Sequence, residues 1–404
     1  MTTPVVREAR VVHPQLGTVA RSSGTTLNSA SSTREAARDD RRRDPELAHG
    51  HGAADFEINF ISLRHTHHAQ GSGYDRLLDY LPGRIGGPVA ARTLWQRALT
   101  RALRPALLRS GSTWYHRESL LGELAASRHW LRPRAQLFHF LYGENLFRYF
   151  GLLKHTRRRH PIVCTYHTPP ERFKEVVRDP RHLKHLDAVI VLTRSARAPF
   201  VELLGEQRVR FIPHGVDVEH FRPRQGDVNR ESGTFRCLCV GSHLRDFVTL
   251  ARAAEQLHNE GANIRFTVVT KRENHAALAH CHNVELRDRI SDDELLKAYQ
   301  ETDAFVLPLS AATANNALLE ALACGAPVVV SSVEGISDYL SDRCSLRFDS
   351  GDASGLAAAI KKLRDAPDLR RQLAWESRQR ALEFRWESVA EQVLDLYAEL
   401  ARGR

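Results

Sequence analysis

Two short apolar runs, Ala304-Phe-Val-Leu307 and Pro327-Val-Val-Val330, bracket a polar loop and a capped helix. No other stretch constrains the fold as tightly as residues 303–340. Neither run alternates with polar residues. Strands buried on both faces have this character, and they occur in helix-covered parallel sheets. Between the runs, Thr313-Ala-Asn-Asn316 precedes an apolar helical run, 317–323. Thr and Asn oxygens accept the unpaired N–H groups of a helix start. Gly325 and Pro327 then end the helix. The free N–H groups and the dipole at such a start attract phosphates. In open α/β sheets the ligand crevice lies at the carboxyl ends of the strands. Thr313, Asn315, Asn316 and Ala317 are therefore the expected phosphate-side residues. Glu320 falls one to two turns into the helix. Two readings of it stand: a carboxylate that accepts from paired sugar hydroxyls, as in dinucleotide sites, or a solvated surface glutamate.

At 404 residues the chain exceeds one typical core, so two domains are expected. A hydrophobic content of 42% and a charged content of 26% are ordinary for a globular protein. No run of 18 apolar residues marks a spanning helix, and no apolar core near the N-terminus marks a secretory signal. Cys164, Cys237, Cys239, Cys281, Cys324 and Cys344 form no Cys-x-x-Cys pair. Buried, reduced packing thiols and a cytoplasmic setting are expected. The net charge of +10 favours acidic partners such as phosphates, anionic lipid or nucleic acid. The charge is diffuse, and no RNA-binding, helix-turn-helix or zinc-finger pattern accompanies it, so no nucleic-acid partner is expected.

Residues 1–54 are rich in Ser, Thr, Ala, Arg and Asp and lack a periodic apolar face, which predicts a disordered tail. Phe56–Leu63 then reads as a strand, followed by Gly71-Ser-Gly73 and a helical stretch from Tyr74. Two glycines let a backbone approach a ligand closely. Further strands are predicted at 136–140, 162–166, 188–192 and 209–212, then at 235–241, 264–269 and 283–286. Helical stretches separate most of them, so the fold class is α/β with parallel sheets. The polar run 222–234 reads as a linker. A last amphipathic helix starts near Phe384-Arg-Trp386.

Glu320-Ala-Leu-Ala-Cys-Gly-Ala-Pro-Val-Val329 resembles the nucleotide-binding motif of the family 4 glycosyltransferases, and Pro213-His-Gly-Val-Asp217 resembles the segment before that family's interdomain linker. The resemblance covers roughly residues 56–400. It implies the GT-B fold, two Rossmann-like domains whose parallel sheets face each other across a cleft. The implied division is a tail at 1–54, an acceptor-side domain at 55–222, a linker at 223–234, a nucleotide-sugar-binding domain at 235–385, and a C-terminal helix at 386–404 crossing back to the first domain. It implies that Glu320 holds the ribose hydroxyls. Ala312 stands where the family has a first Glu that contacts the donor sugar.

Arg245 follows the predicted strand end Val240-Gly241 and is expected to neutralise a diphosphate leaving group. Its other reading is a surface ion pair with Asp246. Ser242 occupies the family's usual Arg position, and Lys271 is a candidate second cation. His167 follows the strand 162–166. A histidine there donates to a sugar hydroxyl or phosphate, or is merely packed; the resemblance implies contact with the donor sugar. Gly71 and Gly73 resemble in position the family's glycine loop. His65, His67 and His68 form a His-rich tract of the kind that can bind metal, but the resemblance implies no need for one, so no metal and no cofactor beyond the nucleotide-sugar substrate are expected. Residues 80–117 hold seven Arg and no acid, with apolar residues at near-helical spacing. They read either as a membrane-surface helix or as a core-facing stripe with a solvated Arg face, and residues 84–117 are the candidate membrane contact.

The function expected is transfer of a sugar from a nucleotide-sugar to a hydroxyl on a glycan or lipid-linked acceptor, with retention of configuration, in polysaccharide or glycolipid synthesis. The alternatives are a non-catalytic nucleotide-sugar-binding protein of the same fold, favoured by Ala312 and Ser242, and a basic nucleic-acid-binding protein.

Overall fold

A computed structural model of the protein describes residues 56–63, 71–88, 98, 101–108, 110, 112–156, 160–224 and 233–403. The tail at 1–54, the histidine tract and, within the candidate membrane segment, residues 89–97, 99, 100, 109 and 111 lie outside the described residues.

Two six-stranded sheets form the scaffold, and every strand pair within them is parallel. The first contains β1 (Glu57–Ile61), β2 (Arg84–Gly86), β3 (Gln136–Phe140), β4 (Ile162–Tyr166), β5 (Ala188–Val191) and β6 (Val209–Phe211), in the order β2-β1-β3-β4-β5-β6. The second contains β7 (Phe235–Val240), β8 (Ile264–Val269), β9 (Val284–Arg287), β10 (Ala304–Leu307), β11 (Val328–Ser332) and β12 (Ser345–Asp349), in the order β12-β11-β10-β7-β8-β9. In both, the order reverses beside the first strand, so each sheet is doubly wound and has a crevice at its carboxyl edge. Strands β3, β4, β5 and β10 are buried along their whole length. That matches the non-alternating runs of the sequence.

The helices that position the site belong mainly to the second sheet. They are α1 (Arg117–Trp130), α2 (Ala198–Leu204), α3 (Phe247–Asn259), α4 (Asp292–Glu301), α5 (Asn316–Ala323), α6 (Ala353–Asp365), α7 (Pro367–Leu382) and α8 (Trp386–Arg402). Ser291 and Glu294 form a capping box at the start of α4, satisfying two orphan donors reciprocally. Trp386, Val389, Val393 and Tyr397 of α8 bury their side chains in the core of the first sheet, not the second. Tyr397 fixes this docking through its hydroxyl, 2.6 Å from His139 Nδ1 on β3. The segment before α8 pairs with the chain leaving the first sheet: Val216 N–H donates to Phe384 O at 2.8 Å.

Two elements depart from expectation. Arg84, placed in a candidate membrane helix, lies in the edge strand β2, where its guanidinium bonds Glu57 at 2.6 Å. Burial is incomplete on β2, and pairing with β1 alone makes it a strand. The stretch after Gly73 is a 3-10 turn, Tyr74–Asp79, rather than an α-helix.

Candidate functional site

The loop after β10 leads into α5, and Asn315 caps the helix by accepting from Leu318 N–H at 3.2 Å. The same Asn315 oxygen accepts from Arg245 Nη2 at 3.2 Å. Arg245 reaches it from the turn after β7. Its Nε and Nη2 donate to Val240 O at 3.0 and 2.7 Å, and its Nη1 to His243 O at 2.9 Å. Gly241 makes this wrap feasible: its φ is +100°, and a Cβ there would lie 2.7 Å from Arg245 Nη2. Asp246 spends its carboxylate on the start of α3, accepting from Thr249 N–H at 3.0 Å and Thr249 Oγ1 at 2.6 Å. The surface ion pair read from the sequence is thus replaced by bonds to neutral oxygens. Burial pulls the guanidinium pKa down, yet arginine stays charged in proteins. The result is a fixed cation seated against a helix start.

Glu320 is not a solvated glutamate. It is 4% exposed and each carboxyl oxygen takes a hydroxyl: Tyr299 OH of α4 donates to Oε2 at 2.8 Å, and Ser72 Oγ of the glycine loop donates to Oε1. Burial raises its pKa, while the two hydroxyl donors oppose the rise. Ser72 belongs to the first sheet and Glu320 to the second, so this bond closes the cleft between them. A small cavity remains beside it, lined among others by Gly71, Gly73, His214, Asn316, Glu320 and Trp386.

Gly71, Gly73, Asn316 and Glu320 are therefore brought together. Thr313 lies on the approach to α5, Asn315 caps it, and Ala317, in its first turn, is buried. Lys271 is exposed at the end of β8; its N–H donates to Ser242 Oγ at 3.2 Å, which places it beside the β7 turn. His167 stands outside the cavity. Its ring stacks on Tyr142 at 4.4 Å and meets Tyr74 edge-on at 5.0 Å; Tyr74 in turn meets His214 on the cavity wall. Its Nδ1 is 3.3 Å from Glu144 Oε1. Ala312, at the position of the missing Glu, packs its methyl into the core of the second sheet.

Ser72, Tyr299, His214 and Trp386 were not read as site residues. His214 is buried and neutral, its pKa lowered to about 3 by desolvation, with Nδ1 2.6 Å from Gly215 O. The Gly-Ser-Gly turn was the one signal that pointed toward Ser72.

Two parallel sheets and a C-terminal helix docked on the first define a GT-B-type, two-domain Rossmann-like fold. A model described as Glycosyl transferases group 1 matches residues 234–365, and one described as Glycosyltransferase Family 4 matches residues 95–220. Together the two matches support a family 4-like glycosyltransferase. It is 26% identical to an MMP alpha-(1->4)-mannosyltransferase of Mycolicibacterium hassiacum over 61% of this chain and 67% of that protein. It is 28% identical to a D-inositol 3-phosphate glycosyltransferase of Xylanimonas cellulosilytica over 60% and 67%. Among solved structures, a sucrose-phosphate synthase of Thermosynechococcus elongatus superposes with a TM-score of 0.64 at 18% identity, covering 86% of this chain and 100% of that one. Anabaena HepE in complex with UDP and glucose gives 0.59 at 13%, covering 85% and 100%. These likenesses support the shared fold. No helix among the described residues is long and apolar enough to cross a membrane.

Proposed function

We propose that the protein moves a sugar from a nucleotide-sugar donor to a hydroxyl of a glycan or lipid-linked acceptor, with retention of configuration and without a metal ion in the reaction. The observation that carries this reading is the pairing of Glu320, already holding hydroxyls on both oxygens, with the Arg245 cation at the start of α5. A ribose diol takes over the Oε1 contact that Ser72 makes in the closed cleft. The diphosphate then faces the α5 N–H groups, Arg245 and Lys271, which offset the charge that develops as the leaving group departs. The acceptor proton passes to the departing phosphate. His167 and the Gly71–Gly73 loop close over the donor sugar from the first domain. The relatives' names and the UDP and glucose bound by Anabaena HepE support a nucleotide-sugar donor.

Glu320 is 4% exposed and Ser72 occupies its Oε1. Donor entry therefore requires the glycine loop to withdraw from Glu320. A thermal-shift screen against UDP, GDP, ADP and TDP and their sugar conjugates, with Glu320→Ala alongside, tests the reading. One nucleotide raises Tm in the wild type by mass action and does not in the variant. No shift with any nucleotide sinks it.

Ala312 favours a second reading, a binder without turnover, because the methyl is buried where the family's Glu meets the donor sugar. Release or transfer of labelled sugar from the bound donor decides between them.

A further inference from the structure

The second domain carries a cluster of metal-binding side chains that the sugar-transfer reading does not use. Glu255 on α3, and His280 and Cys281 on the connection into β9, offer a carboxylate oxygen, an imidazole nitrogen and a thiol sulfur that all lie within 4.8 Å of one another. We propose that Glu255, His280 and Cys281 bind a zinc-like divalent transition cation that clamps the β8–β9 connection to α3.

The spacing suits such a cation. Tetrahedral zinc, with bonds of ~2.0–2.1 Å to nitrogen and oxygen, sets those two ligands roughly 3.3 Å apart. Glu255 Oε1 and His280 Nε2 stand 3.4 Å apart. The donors are also fixed from two sides. Glu255 rides on a rigid helix, and Cys281 is held one turn away by its Sγ, 3.7 Å from Ala251 O on the same helix. Cys281 is 5% exposed, while the Glu255 and His280 side chains are about half exposed. The thiol thus forms the floor of a site whose other ligands admit an ion from solvent. Two further imidazoles are close to these ligands in the chain. His258 lies three residues beyond Glu255, on the same helix face, and His282 follows Cys281; their rings are 5.5 Å apart. Water completes a fourth position.

Ligand chemistry selects the ion. Magnesium and calcium take all-oxygen shells, whereas a thiolate, an imidazole and a carboxylate together suit zinc and its neighbours. Position assigns the role. Asp246, at the start of α3, bonds Pro308 O at the cleft edge. Glu255 lies nine residues further on, ~13 Å along the helix axis, toward the amino ends of the strands. The cation is structural and stands clear of the transfer site.

The test uses full-length protein, reduced and freed of metal by chelation, with Co²⁺ as the optical probe and Zn²⁺ as competitor. One equivalent of Co²⁺ raises a thiolate-to-metal charge-transfer band, and one equivalent of Zn²⁺ removes it. Cys281→Ser abolishes the band and Cys344→Ser keeps it. His280→Ala and Glu255→Gln, both at exposed positions, weaken Zn²⁺ binding at least about tenfold, the scale on which even supporting residues of metal sites act. They decide the matter if Cys281→Ser does not fold. No charge-transfer band, or Zn²⁺ affinity unchanged in both exposed variants, overturns the proposal. The nucleotide screen has no bearing on either result.

Discussion

Ser72→Ala separates a closed-cleft contact from a donor-binding contact. In the structure Ser72 Oγ donates to Glu320 Oε1 inside a buried interface. A hydrogen bond to a charged or partly charged group contributes about 1.5–3 kcal/mol. Removing the hydroxyl destabilises the free protein on that scale and lowers its Tm. Nucleotide binding responds with the opposite sign. If ribose must displace Ser72, the variant no longer breaks this bond on opening, and affinity rises by about tenfold for each ~1.4 kcal/mol removed. Glu320 also loses one of the two donors that oppose the burial-driven rise of its pKa, so its titration moves further up. Calorimetric titration of the nucleotide selected by the screen, UDP for instance, into wild type and Ser72→Ala reads the affinity, and a melting curve without ligand reads the stability. Lower stability with tighter nucleotide binding is the expected pair. Weaker nucleotide binding in the variant would refute the reasoning, because Ser72 would then be a ligand of the nucleotide rather than its competitor.

Other perturbations have equally definite signs. Arg245→Met removes the cation at the α5 start and weakens binding of a nucleoside diphosphate by about 1.5–3 kcal/mol, with a much smaller effect on the nucleoside alone, read by the same titration. Gly215→Ala places a Cβ 2.3 Å from the Trp386 ring; it pushes α8 off the first sheet and lowers Tm. Burial raises the Glu123 carboxyl to about 7. A raised carboxyl pKa means the folded state holds the proton longer, so this contribution is full below about 4.5 and is lost as pH rises through about 7. Glu123→Gln removes that slope in a denaturation series across pH. His139, His182 and His214 act the other way: burial lowers each to about 3. Their contribution is full above about 6.5 and drains away as pH falls toward 3, so wild-type stability declines on acidification below about 6.5.

Much of the scaffold was legible because its central strands are apolar on both faces. Gln136–Phe140, Ile162–Tyr166 and Ala304–Leu307 stand where the sequence placed them, and so does Ile264–Val269, which alternates instead. Two edge strands, β2 and β12, were not legible, whereas the edges β6 and β9 were. Arg84–Gly86 is exposed throughout and is a strand only through its register with β1. Ser345–Asp349 is half-buried and carries Arg and Asp, so no apolar run marks it. The site divides along a similar line. Asn315 and Glu320 could be read because a cap and a helix are local. Ser72 meets Glu320 across 248 residues of chain, and Trp386 reaches the cavity only because α8 docks on the other sheet. No local pattern encodes such meetings. The Glu320 environment was half right in the same sense: the sequence offered a carboxylate for hydroxyls, while the hydroxyls that occupy it come from distant elements.

The central claim is that Glu320 reads the ribose diol, and a two-by-two titration tests it most directly. The nucleoside diphosphate selected by the thermal-shift screen and its 2′,3′-dideoxy analogue are titrated into wild type and Glu320→Ala. The account predicts that deleting either the diol or the carboxylate weakens binding, and that deleting both costs little more than deleting one, since the two changes remove the same contact. Fully additive losses, or equal affinity of wild type for the two nucleotides, would contradict it.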